Sequence, residues 1–263
     1  MGAEYVFDTG SDLGRQQVDC LAEMLDGTTT GVLDGLGVRS GWRCLELGAR
    51  NGSIAGWLAR RTGSAGTVAA VDLDTSHVVA DPNVEVHRHD LNDGLPLEGP
   101  FDLIHSRLVL MHLSRREEIL DSLVDALAPG GWLVLGDLTD RLPLAASARD
   151  VADEELFERV IETGMNRVGR PAGMNLEWAR DTGRHMARSG LEDIHSVEYR
   201  FTAYGGTPGL LYYRSMLAQV GHLLLKAGIS EGELRRFDEL MTDPRFSAWS
   251  YQFVFTWGRR QKT

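Results

Sequence analysis

The chain has 263 residues, 43% hydrophobic and 25% charged, with a formal net charge of −11 at pH 7. That is enough for one large domain, or for a domain carrying an inserted cap. A uniformly acidic chain lacks the phosphate-neutralising surface that nucleic acids and anionic membranes require, so both are set aside as partners.

The opening residues, MGAEYVFDTG, have neither the basic nor the apolar region of a signal peptide, and Val6 breaks the myristoylation pattern. No apolar run approaches a membrane span. Residues 1–40 read as helical. Leu13, Val18, Leu21, Ala22, Met24 and Leu25 form one apolar face, and Thr28 to Thr30 are placed to cap a second short helix. The two cysteines, Cys20 and Cys44, form no CxxC pair and point to a reduced, cytoplasmic setting.

An alternating series follows. WRCLEL (42–47) predicts a strand and SIAGWLARRTG (53–63) a helix. GTVAAVDL (66–73) is a nearly all-apolar strand, as expected where both faces are covered. NVEVHRHDL (83–91) predicts a third strand, and FDLIHSRLVLMHL (101–113) opens as a fourth. SRREEILDSLVDALAPGG (114–131) predicts a helix with Ser114 as N-cap, Glu117 closing a capping box, and a Pro-Gly-Gly stop. WLVLGDL (132–138) is a fifth strand. Strands alternating with helices imply a doubly wound α/β fold with a parallel sheet.

After Asp140 the pattern changes. Residues 143–190 read as helical around a loop, NRVGRPAGMN. LEDIHSVEYRF (191–201) returns to strand, residues 207–243 predict two helices, and SAWSYQFVFTWGRR (247–260) predicts a last strand. The organisation expected is one domain: a helical segment 1–40, a core 41–140, a helical cap over 141–190 and 205–243, and last strands at 191–204 and 247–260. The late helices are expected to form a lid over the ligand edge of the sheet.

Ligands of open α/β sheets bind at the C-terminal strand ends, beside the switch point in strand order. Glu46 ends the first strand there, and Gly48, Ala49 and Gly52 lie in the turn that opens the next helix. A pyrophosphate prefers small residues at the G-x-G-x-x-G spacing, which GARNGS (48–53) lacks. Glu46 would repel a phosphate and suits a cationic cofactor. Asp72 ends the second strand, 26 residues after Glu46, where a carboxylate can accept from ribose hydroxyls. Asp90 and Leu91 end the third strand and offer an acceptor and an apolar face to an adenine ring.

CLELGARNGS, VAAVDLD, HRHDL, FDLIHSRLVLMHL and LAPGGWLVL resemble, in order and spacing, the motifs of class I S-adenosylmethionine-dependent methyltransferases, in their small-molecule, natural-product tailoring branch. The resemblance is carried by residues 40–140. It implies a Rossmann-like seven-stranded, mostly parallel sheet with an antiparallel last strand. It implies S-adenosyl-L-methionine as cofactor, with Glu46, Gly48, Ala49 and Gly52 around its methionine part. Asp72, beside Leu73, would hold the ribose, and Asp90 with Leu91 the adenine. The backbone of Ser106 and Arg107 is expected to pass the cofactor, and Tyr5, Arg15 and Gln16 could reach its carboxylate.

Methyl transfer is an in-line displacement that aligned proximity accelerates, and a general base helps with phenols and amines. His112, just past the fourth strand, is the candidate catalytic base. His105 reads as a core residue or one standing behind the site. His87 and His89 alternate on a strand with no matching acidic cluster, so no metal is expected. Arg50 and Asn51 depart from the family, which has small residues there. Asn tolerates a positive φ well, Arg less so.

The expected acceptor is a small aromatic or lipophilic molecule, methylated at O or N, with C-methylation left open. Of the apolar and aromatic residues Trp178, Tyr204, Leu210, Leu211, Tyr212, Tyr213, Met216, Trp249, Tyr251 and Phe253, most are expected in the core and a subset is expected to line its pocket. The protein is expected as a monomer or homodimer. Two other readings compete. One is a cofactor-binding fold with a non-methylating reaction; the other is a non-catalytic binding protein with a degenerate loop.

Overall fold

The apolar runs ending in Glu46, Asp72 and Arg107 become adjacent strands of one sheet. The structure, a computed structural model, describes residues 11–78 and 81–262. The expectation for Tyr5 therefore lies outside the described residues. In chain order the elements are α1 (Asp12–Gly35), β1 (Arg43–Leu47), α2 (Ser53–Thr62), β2 (Thr67–Asp72), β3 (Val84–Arg88), β4 (Phe101–Arg107), α3 (Arg116–Asp125), β5 (Leu127–Leu138) and β6 (Leu144–Ser147). Then come α4 (Val151–Thr163), α5 (Trp178–Arg188), β7 (Glu192–Tyr199), β8 (Thr202–Tyr204), α6 (Pro208–Gln219), α7 (Gly221–Lys226), α8 (Glu231–Thr242), β9 (Ser247–Trp249) and β10 (Phe253–Arg259).

These elements fall into two compact units. One takes in Asp26 to Leu138, Leu176 to Tyr199, and the chain from Phe253 onward. It holds a seven-stranded sheet in the order β3-β2-β1-β4-β5-β10-β7. Pairing is parallel from β3 through β5, and β10 runs antiparallel to both neighbours. This is the Rossmann-like sheet with an antiparallel last strand expected from the sequence. Strand order reverses between β1 and β4, which makes their C-terminal ends the switch point. Cys44, Val68, Ala70, Leu103 and Val134 pack on Ile54, Ala55 and Leu58 of α2, so the helix after the turn is fixed to the sheet.

The other unit takes in α1 up to Leu25, Thr139 to Asn175, and Arg200 to Gln252. Its sheet, β6-β9-β8, is antiparallel. Phe157 packs against Tyr213, Phe237 and Phe246 with ring centroids 5.2–6.0 Å apart. Arg236 holds the buried Asp153 carboxylate through both oxygens at 2.8 Å.

Several element boundaries differ from the sequence reading. Asp12–Gly35 is one helix, because Thr30 bonds its hydroxyl back to the Asp26 carbonyl instead of capping a new helix. Ser114 is no N-cap: its hydroxyl meets Asn92, and α3 begins at Arg116 without a side-chain cap. That helix stops at Asp125, short of the Pro-Gly-Gly, because the Arg260 guanidinium takes the carbonyls of Val124, Asp125 and Leu127. Residues 144–147 pair with β9 as a strand where helix was expected. The loop expected at 166–175 begins as a π-helical continuation of α4 over Gly164–Gly169. Val220, at φ −105°, interrupts the helix before Gly221, so three helices stand where two were expected. The last strand is split, because Tyr251 and Gln252 bond instead to the Tyr213 hydroxyl and the Thr139 N–H.

Candidate active site

β1 delivers Glu46, 2% exposed, to the switch point. The chain then turns over the end of β2: the N–H groups of Gly48 and Ala49 both donate to the Val71 carbonyl, at 2.8 and 3.2 Å. Gly48 has φ 73°, and a Cβ there would stand 2.2 Å from Val109 Cγ2. Only glycine meets both conditions. Arg50 also takes a left-handed φ, 53°, where a side chain carries a conformational cost. Asn51 supplies what the N-cap position, Gly52, cannot, since its Oδ1 accepts the Ser53 N–H at 3.2 Å.

Asp72 closes the group. Its Oδ2 accepts the Arg50 N–H at 2.8 Å and its Oδ1 accepts the Asp74 N–H at 3.1 Å. The carboxylate is 8% exposed and keeps lone pairs for further donors. The turn and the acidic end of β2 are thus one hydrogen-bonded unit, and the departure at Arg50 makes its link through the backbone. Leu73, next along, is half exposed. Just past the neighbouring strand β3, which ends at Arg88, Asp90 caps a short 3₁₀ turn, with Oδ1 accepting from the Asn92 backbone at 2.9 Å and side chain at 3.0 Å. Leu91 beside it is buried.

At the end of β4, the His105 Nδ1 lies 2.6 Å from Glu46 Oε2. Ser106 is buried, with its hydroxyl 3.4 Å from the Leu47 carbonyl. The Arg107 side chain turns to α1, donating to Asp26 at 2.9 Å and Thr29 at 2.8 Å. Its backbone is what remains for a ligand. Leu108 follows with φ 57°. His112 ends the 3₁₀ turn Leu110–His112 and is half-buried. Loss of hydration, then the positive charges of Arg50 and Arg116, lower its pKa to about 3. It is therefore a neutral imidazole near pH 7.

Sequence reasoning missed Asp137, at the end of β5. The carboxylate is 3% exposed, and burial pushes its pKa up to about 8. The Met111 N–H, the Arg116 charge and the Trp178 indole N–H oppose that shift only partly. Its one signal in the sequence is an acidic residue closing the apolar run WLVLGDL. Arg15 lies on α1 in the other unit and pairs with Asp12 at 3.0 Å on an exposed face. His89 bonds through Nε2 to the Gly94 carbonyl at 2.9 Å, a structural use.

A model of the methyltransferase domain matches residues 24–196. Methyltransferase str2 of Strobilurus tenacellus is 35% identical over 100 residues, 36% of this chain and 35% of that protein. The ubiquinone biosynthesis O-methyltransferase of Xylella fastidiosa is 29% identical over 178 residues, 61% of this chain and 65% of that protein. The match to the Strobilurus relative thus spans about a third of its length. Among solved structures, phosphoethanolamine N-methyltransferase 2 of Haemonchus contortus, in complex with S-adenosylhomocysteine, aligns with a TM-score of 0.56 at 17% identity. That alignment covers 96% of this chain and 58% of that one.

Proposed function

The chain belongs to the methyltransferase-domain family, and on that premise we propose that it transfers a methyl group from S-adenosylmethionine to a small-molecule acceptor. The observation that carries the reading is the bond from the Arg50 N–H to Asp72, which joins the glycine turn and the second acidic strand end into one site. The donor set fits the cofactor. Glu46 is a buried carboxylate for the ammonium group of its amino-acid portion, with Gly48, Ala49 and Gly52 shaping the turn around it. Asp72, beside Leu73, retains acceptor capacity for the ribose hydroxyls. Asp90 and Leu91 offer an acceptor and an apolar face for adenine. The Ser106 and Arg107 backbone lines the β4 end.

When bound, the cofactor supplies an electrophilic methyl group on a sulfonium centre. The protein's part is to hold the acceptor in line, which is worth up to about 7–11 kcal/mol. His112, held neutral, accepts the hydrogen bond of an O–H or N–H nucleophile. Its low basicity suits a proton that leaves as the methyl group arrives on oxygen, because a freshly alkylated oxygen is strongly acidic. The Xylella relative's name supports an O–H acceptor, and the aromatic content of residues 204–251 supports a flat or lipophilic one.

The test is to incubate the protein with methyl-labelled S-adenosylmethionine and a panel of phenols, carboxylic acids and amines. Label should pass to a member of the panel. His112→Ala should lower turnover about 10²-fold or more with cofactor affinity nearly unchanged; unchanged turnover removes His112 from the reaction.

A further inference from the structure

Glu46 and His105 are Cα partners across the parallel β1–β4 ladder, so their side chains leave the sheet on one face. That is the face on which Cys44 and Leu103, two residues earlier on each strand, enter the apolar core. The side chains are 3% and 0% exposed, with His105 Nδ1 2.6 Å from Glu46 Oε2. The other ring nitrogen, Nε2, is sealed from solvent and has no hydrogen-bond partner among the described residues. A proton there would be an orphaned buried donor, which is more costly than an unfilled lone pair. The ring proton therefore belongs on Nδ1, donated to Oε2. Among the described residues, Glu46 Oε1 takes no hydrogen bond.

We infer that His105 is a positioning residue of the cofactor site: it clamps one oxygen of Glu46 and thereby presents the other to the ammonium group of the cofactor's amino-acid portion. The inference rests on the cofactor reading above. A buried carboxylate without its donor would rotate, or take up a proton, and in either case lose its grip on a cation. His105 never touches the ligand in this account; it acts through Glu46.

The experiment is calorimetry on the full chain with two ligands, S-adenosylhomocysteine and 5′-methylthioadenosine, which lacks the amino acid. His105→Leu should weaken S-adenosylhomocysteine about 10- to 100-fold, the value of one hydrogen bond to a charged group. Binding of 5′-methylthioadenosine should stay within about twofold. His105→Asn, whose Nδ2–H₂ stands close to where the imidazole Nδ1–H was, should recover most of the loss. Equal weakening of both ligands, or no recovery by Asn, would overturn the inference. Should His105→Leu fail to fold, ¹⁵N-histidine NMR of the wild type decides. The His105 ring should carry its proton on Nδ1 alone, and a protonated Nε2 would overturn the assignment. Failure of the wild type to bind either ligand would instead remove the cofactor reading, and this inference with it.

Discussion

At Gly48 a positive φ and a close neighbour impose the same residue. Gly48→Ala adds a Cβ 2.2 Å from Val109 Cγ2 at φ 73°. The left-handed conformation alone costs about 1–2 kcal/mol, and the clash displaces the turn. Cofactor binding should fall at least about tenfold. Arg50 is the opposite case. Its φ is also left-handed, but its link to Asp72 is made by the backbone N–H. Arg50→Gly should keep cofactor affinity within about threefold and raise stability by about 1 kcal/mol. Calorimetry and urea denaturation check both. A tenfold loss on Arg50→Gly would show that the guanidinium itself matters to the cofactor.

His112 gives a residue-scale pH prediction. Burial and two arginines hold its pKa near 3, against an ordinary 6.5. The unfolded chain binds a proton at His112 below about pH 6.5, and the folded one does not until about pH 3. Its contribution to stability is therefore full above pH 6.5 and is lost as pH falls through that window toward 3. In an NMR titration from pH 8 to 5 its ring signals should not move. A midpoint near 6.5 would contradict the environment described.

At the scale of elements, β5 and α5 meet over a buried carboxylate. Asp137 on β5 accepts from Met111 beside Arg116, and the Trp178 indole at the start of α5 supports it. Its folded pKa is about 8, against about 4 when unfolded. Folding thus retains a proton between these values. Its contribution is full below pH 4 and is lost as pH rises toward 8. Relative to Asp137→Asn, the wild type should lose stability between pH 5 and 8 in denaturant titrations; parallel curves would show no such retained proton.

How much of these elements was legible in the sequence depends on the length over which their signals act. β1, β2, β4 and β5 were legible as apolar runs, and Glu46, Asp72 and Asp90 as the acidic residues at or just past such runs. β6, β8 and β9 have three or four residues each, too few to show a period. β6, LAAS, carries alanines that favour helix and becomes a strand only because β9 lies alongside it. The end of α3 depends on Arg260, more than 130 residues away. The Glu46–His105 pair depends on register between strands 59 residues apart, and no spacing rule encodes that.

At the scale of the whole molecule, the seven-stranded sheet and the methyltransferase family agree with the order of motifs between residues 40 and 140. The same sheet supports many chemistries, so function rests on the site rather than the fold. The turn carries Arg50 and Asn51 at its tip and closes on Asp72 through the Arg50 N–H, with Asn51 accepting the Ser53 N–H at the start of α2. Among the described residues no helix is long and apolar enough to cross a membrane.

The account stands most directly on calorimetric titration of the wild-type chain with S-adenosylhomocysteine. It predicts one-to-one binding with a Kd of about 1–100 μM, lost on Asp72→Ala. Absence of binding by both S-adenosylhomocysteine and S-adenosylmethionine would contradict it.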